Sequence, residues 1–118
     1  MNIEDFRSYC LAKPGGSEDL PFDENTLVFK VMGKMFALCD LDAFESVNLK
    51  CDPIKAVEYR ERYEGVSAGY HMNKKHWNTV LTDGSVPEEL LRHMINHSYE
   101  LVVAKLPKRD REVLSALK

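Results

Sequence analysis

The chain has 118 residues, 44% hydrophobic, 9% aromatic and 30% charged, with 16 bases against 19 acids for a net charge of −3. At this length a folded chain buries roughly two thirds of its extended surface, enough for one core without disulfide or metal staples, so a single domain over residues 1–118 is expected and a disordered chain is not. No apolar run reaches the roughly 18 to 20 residues of a membrane helix, and the start MNIEDFRSYC lacks a basic and apolar leader, so a cytoplasmic protein without membrane contact is expected.

Ile3, Phe6, Tyr9, Cys10 and Leu11 fall at helical spacing behind Asn2, a natural N-cap, with Glu4 and Asp5 suiting the positive end of the helix dipole. Pro14 to Asn25, with two prolines and a Gly pair, reads as loop. From Thr26 the period changes to two: Leu27, Phe29 and Val31 alternate with Val28 and Lys30. Gly33-Lys34 then permits a tight reversal into Met35 to Asp40, giving a hairpin. Glu45 to Cys51 alternates Val47 and Leu49 with polar residues and reads as a third strand. Asp52-Pro53 is an N-cap acid followed by proline at the first helical position, and the helix so begun runs to Gly65, with Ile54, Val57 and Tyr63 as its apolar face.

Two short strands follow, Val66 to Tyr70 and Trp77 to Leu81, the second closed by the turn Thr82 to Ser85. A long helix begins at Pro87 and carries Leu90, Leu91, Met94, Ile95, Ser98, Leu101 and Val102 on one stripe until Pro107, and the tail KRDREVLSALK suits a short final helix. The order α-β-β-β-α-β-β-α implies an α+β two-layer sandwich, an antiparallel sheet of about five strands with helices on one face. Strands do not alternate singly with helices, and neither G-x-G-x-x-G nor G-x-x-x-x-G-K-[ST] is present, so a Rossmann-type or P-loop nucleotide fold is not expected.

Chemistry concentrates in HMNKKHW, residues 71–77, on the link between the last two strands. Lys74 and Lys75 can neutralise phosphates. Asn73, His71 and His76 can donate to phosphate oxygens or base edges, and Trp77 can stack on a base. The same residues also suit a solvated hairpin tip with Trp77 as a core anchor. His71 and His76 lack further ligands at zinc spacing. His93 and His97 share a helical face without the Glu of H-E-x-x-H, and His97 beside the apolar stripe reads as a packing histidine, so no metal is predicted. Cys10, Cys39 and Cys51 form no C-x-x-C pair and sit in apolar segments, where a thiol stays protonated and unreactive. With no G-x-S-x-G and the paired acids at a loop and a helix start, no catalytic group and no cofactor is predicted.

Charge is uneven. Residues 1–26 hold six acids against two bases, residues 105–118 five bases against two acids. Exposed charges are largely screened beyond about 8 Å at physiological salt, so a local basic patch acts even on an acidic protein. Such a patch arises if Lys34, Lys50, Lys74 and Lys75 meet the basic tail.

The segments FKVMGKMFAL (Phe29 to Leu38), LKCDP (Leu49 to Pro53), GYHMNKKHWNTV (Gly69 to Val80) and SYELV (Ser98 to Val102) together resemble the MmcQ/YjbR family over Phe22 to Pro107. One departure is Asp23 after Pro21-Phe22, where many members carry glycine. The resemblance implies a compact α+β fold akin to secretion-chaperone-like and frataxin-like sandwiches. It also implies a non-catalytic, sequence-tolerant binder of double-stranded DNA whose two hairpin wings touch the duplex, with Lys34 in the first wing and Asn73, Lys74, Lys75 and His76 in the second. The alternatives are a protein-interaction or chaperone-like module and, with less behind it, a small-ligand pocket around His71, Asn73 and Trp77.

Overall fold

Helix α1 (Ile3–Leu11) starts where Asn2 Oδ1 accepts the Asp5 N–H at 2.8 Å, and it buries Phe6 and Cys10. Helix α2 (Pro53–Arg62) starts the same way, the Asp52 carboxylate accepting the N–H groups of Ile54 and Lys55. These belong to a computed structural model that describes residues 1–69 and 72–117. Among the described residues the remaining elements are β1 (Gly16–Asp19), β2 (Thr26–Val31), β3 (Lys34–Asp40), β4 (Ser46–Lys50), β5 (Val66–Ala68), β6 (Trp77–Leu81), α3 (Glu88–Ala104) and α4 (Lys108–Ala116). All strand pairs are antiparallel, in the order β1-β2-β3-β4-β6-β5. The chain is thus the expected α+β sandwich, with one strand more.

That strand, β1, lies inside the segment read as loop. GSED has no apolar alternation, because an edge strand with neither face in the core needs none. It is held by its ladder to β2, Gly16 opposite Val31 through Asp19 opposite Val28, and by Arg7, whose Nε and Nη2 donate to the two carboxylate oxygens of Glu18. Asp23 shapes the link that follows, its carboxylate accepting from the N–H groups of Asn25 and Thr26 and from the Thr26 hydroxyl, so the loop turns without the glycine. The first reversal falls at Met32-Gly33 rather than Gly33-Lys34. Both residues have positive φ, 48° and 80°, and Lys34 already pairs with Val31.

The register sets the two faces of the sheet. Leu27, Cys39, Val47, Val80 and Val66 lie in one row, and with Phe29, Ala37 and Leu49 they pack under Phe6 and Cys10 of α1 and Leu91, Met94, Ile95 and Val102 of α3. A bulge places Phe36 as well as Ala37 in the core, Phe36 edge-on to Tyr99 at 5.3 Å between centroids. Helix α2 buries Ala56 and packs Tyr59 and Tyr63 against this core, whereas Ile54 and Val57 face solvent. The apolar face is therefore the Ala56, Tyr59, Tyr63 stripe. In α4 only Leu114 docks, over Gly15, while Val113 and Leu117 stay exposed. No described helix is long and apolar enough to cross a membrane.

Candidate functional site

The antiparallel order decides which links meet. The β2–β3 turn, the end of β4, the approach to β6 and the end of α3 all fall at one end of the sheet. Register shows this directly: Val31 pairs with Lys34 and Lys50 with Trp77. A single cleft at this end is lined by Lys34 and Met35 of β3, Lys50 of β4, Trp77 of β6, and Val102, Lys105 and Leu106 at the end of α3, with a volume of about 200 Å³. Lys34 and Lys50 therefore come together with Lys105 at the end of α3, whereas Lys74, Lys75 and the bases from Lys108 onward do not line this cleft. Burial pushes the Lys50 ammonium below its ordinary value, and the charge of Lys105 pushes it further, so these two cations feel each other. Among the described residues no carboxylate lies within 4.0 Å of Lys34, Lys50 or Lys105.

Lys50 is placed by its own backbone. Its N–H donates to Ser98 Oγ at 2.9 Å, and the same hydroxyl, fully buried on α3, donates to the carbonyl of Phe36, the bulge residue that lacks a partner on β2. One serine thus ties β3 and β4 to α3 beneath the cleft.

Asn73, Lys74, Lys75 and His76 form the turn that enters β6. The carbonyl of Asn73 accepts the N–H groups of His76 and Trp77, and its side-chain oxygen accepts that of Lys75 at 2.9 Å. Asn73 is thereby engaged in holding the turn. Lys74 and Lys75 are exposed and, like the cleft lysines, have no described carboxylate partner, while His76 is half-buried. His71 lies outside the described residues. Trp77 is 8% exposed, an anchor whose edge reaches the cleft. Arg60 of α2 fastens the turn from below: its Nε donates to Asn78 Oδ1 at 2.7 Å and its Nη2 to the carbonyl of Lys74. Asn78, itself buried, passes the link to the carbonyl of Ala56. Sequence reasoning missed Arg60. The available signal was its spacing four residues after Ala56, on the stripe that faces the sheet.

The other candidates resolve into structural roles. His97 Nε2 accepts the Asp52 N–H at 3.2 Å, and burial lowers its pKa. Burial raises all three thiols, Cys39 to about 12 and Cys51 to about 11, and Cys10 in the same direction, so they stay protonated. On the sheet face away from the helices, Phe22, Leu38 and Met72 enclose a hollow of about 490 Å³ with Ser46, Asn48 and Thr79 across its floor, the Thr79 hydroxyl donating to Asn48 Oδ1 at 2.7 Å. Among the described residues no group of three metal-ligating side chains forms.

The fold and its basic end define a small α+β protein with an open, one-face-covered antiparallel sheet and cationic hairpin ends. Residues 11–101 match the sequence model of the YjbR family, and the chain belongs to that family. It is 33% identical to the uncharacterised protein YjbR of Escherichia coli K12 over 118 residues, covering 99% of this chain and all of that one. It is 44% identical to the uncharacterised protein YbdF of Escherichia coli O157:H7 over 93 residues, covering 78% of this chain and 76% of that one. The crystal structure of Deinococcus radiodurans DR2400 superposes with a TM-score of 0.90 at 42% identity, covering 97% of this chain and 88% of that one. A crystal structure of a Pseudomonas syringae protein gives 0.72 at 27% identity, covering 86% of this chain and 98% of that one.

Proposed function

We propose that the protein binds double-stranded DNA through its phosphates, without sequence preference and without a catalytic step. Lys74 and Lys75 on the turn before β6 and Lys34 at the tight β2–β3 turn are the contacts. The observation that supports this reading is the convergence of both hairpin ends and the end of α3 at one end of the sheet, all carrying lysines with no described carboxylate partner. Phosphate contacts from such side chains position a duplex and carry no sequence information. Among the described residues the Asn73 amide, the side chain suited to an adenine edge, has its oxygen engaged by the Lys75 N–H of its own turn. Among the described residues that line the hollow on the opposite face, Asp40 alone is charged, so they form no charge pattern that names a partner.

The test is fluorescence anisotropy of a labelled random-sequence duplex from low to physiological salt. Replacing Lys74 and Lys75 together by Ala is expected to weaken binding to all sequences alike and to reduce the slope of log K against log salt by about one to two units. Absence of binding at low salt with tens of micromolar protein would overturn the reading, and an unchanged slope would remove the second turn from it.

A further inference from the structure

We infer that the cleft formed by Lys34, Lys50 and Lys105 is a seat for a single phosphate monoester, a terminal phosphoryl group rather than the diester backbone of a duplex. The first argument is charge. Three lysines line one cleft of about 200 Å³, and among the described residues no carboxylate within 4.0 Å neutralises any of them. A backbone diester brings one negative charge, whereas a monoester carries about −1.5 to −2 at pH 7 and matches the set more closely.

The second argument is environment. Lys34 and Lys105 are exposed and Lys50 is half-buried, and beside them Met35, Val102, Leu106 and Trp77 give the cleft apolar walls that take part of the water from Lys50. Partial burial and the charge of Lys105 lower the basicity of Lys50, and an anion seated between Lys50 and Lys105 would offset that repulsion. The walls also give the group that carries the phosphate an apolar surface.

The third argument is size and rigidity. A water takes about 30 Å³ in the liquid, so the cleft accommodates a phosphoryl group and part of its carrier, though not a helix of DNA. Lys50 is fixed through the Ser98 hydroxyl, and Lys105 caps α3, its N–H donating to the carbonyl of Val102. Two of the three cations therefore stand on rigid backbone, which limits the ordering cost of binding.

A monoester has two sources, a small phosphorylated molecule or the 5′ end of a nucleic-acid strand, and the experiment separates them. Backbone amide shifts of the protein are followed by NMR while inorganic phosphate, a nucleoside 5′-monophosphate, and short single strands with a 5′-phosphate or a 5′-hydroxyl are added. Saturable shifts at residues 34, 50 and 105 are expected with phosphate and the monophosphate. They should weaken about tenfold or more in Lys50→Gln and Lys105→Gln and be largely restored in Lys105→Arg. A 5′-phosphate strand binding about tenfold tighter than its 5′-hydroxyl twin assigns the strand end as the source. Equal binding of the two strands, with the monophosphate still bound, assigns the small molecule. No saturable shift with any phosphate probe, or shifts that both glutamine variants retain, overturns the seat. The duplex reading shares Lys34 with the seat but is tested separately through Lys74 and Lys75, which do not line the cleft, whereas the seat is tested through Lys50 and Lys105.

Discussion

Ser98 is the residue with the most to lose. It is fully buried, it gives its proton to the Phe36 carbonyl, and it takes the Lys50 N–H. Ser98→Ala leaves a buried donor and a buried acceptor unsatisfied at once, so the expected cost is about 1 to 3 kcal/mol, checked by urea unfolding. A loss below a few tenths of a kcal/mol would mean that water or a shifted strand takes over both bonds. The sequence placed Ser98 on the buried stripe of the last helix correctly but could not show why a hydroxyl stands there. Its partners are 48 and 62 residues away. His97 is the titrating counterpart. It accepts a backbone N–H, which only the neutral ring can do, and burial and Lys55 lower its pKa, against smaller opposing effects of Asp52 and Glu100, with His93 lowering it slightly. The unfolded chain therefore takes the proton first. Stability is fully present above the ordinary histidine value of 6.5 and is lost as pH falls through the lower folded value. That window opens before the carboxylates, since Glu18 has an ordinary value of 4.5 and lies lower still in the fold beside Arg7. Thermal unfolding between pH 7 and 5 should show this slope, and His97→Gln, which keeps an acceptor without a proton to gain, should flatten it. An equal slope in the variant would assign the loss elsewhere.

Among the elements, the turn before β6 depends on two devices that periodicity does not reveal. Gly69 donates its N–H to the Trp77 carbonyl at 2.8 Å, and a Cβ there would lie 2.8 Å from Trp77 Cβ and 2.9 Å from that carbonyl oxygen. The chain leaving β5 thus approaches the backbone and Cβ of Trp77 closer than a residue with a Cβ allows. Gly69→Ala should cost about 1 to 3 kcal/mol by overpacking, and because Trp77 is the sole tryptophan its fluorescence reports the displacement directly. An unshifted spectrum with unchanged stability would show that the turn yields without cost. The second device is the Arg60 clamp on Lys74 and Asn78. Strands whose faces differ in polarity, such as β2 and β4, were legible because one side of each meets α1 or α3. Strand β1 was not, because an edge strand paired through its backbone leaves no apolar trace in GSED. The Ile54 and Val57 face of α2 was misjudged for a related reason: two tyrosines and an alanine cover more of the core than the two aliphatic residues do.

At the scale of the molecule, a chain of net charge −3 is polar from end to end. The links opposite the basic end contain Asp23 and Glu24, Asp42 and Glu45, and Asp83, and no base lies between residues 20 and 25, 41 and 45, or 82 and 87. The lysines of the candidate site were visible in the sequence, but their convergence was not. It follows from α2 carrying the chain back so that β6 pairs with β4, which turns the approach to β6 toward the same end as the β2–β3 reversal. The central strands have five and seven residues, so the two charged ends stand roughly 17 to 23 Å apart at about 3.3 Å per residue. That span lies inside a screening length of about 30 Å at 0.01 M salt and well outside one of about 8 Å at 0.15 M. The acidic end should therefore slow the approach of a polyanion at low salt and be invisible at physiological salt. Replacing Asp42, Glu45 and Asp83 by their amides is expected to raise the association rate with duplex DNA several-fold at about 0.01 M salt and to leave it unchanged at about 0.15 M, measured by stopped-flow anisotropy. Under the proposed duplex binding the dissociation rate should hardly move, because the lysines of the basic end are untouched. A faster rate that persists at 0.15 M would mean that the acids lie close enough to the bound strand to repel it directly, and that DNA engages a longer stretch of the sheet than its basic end.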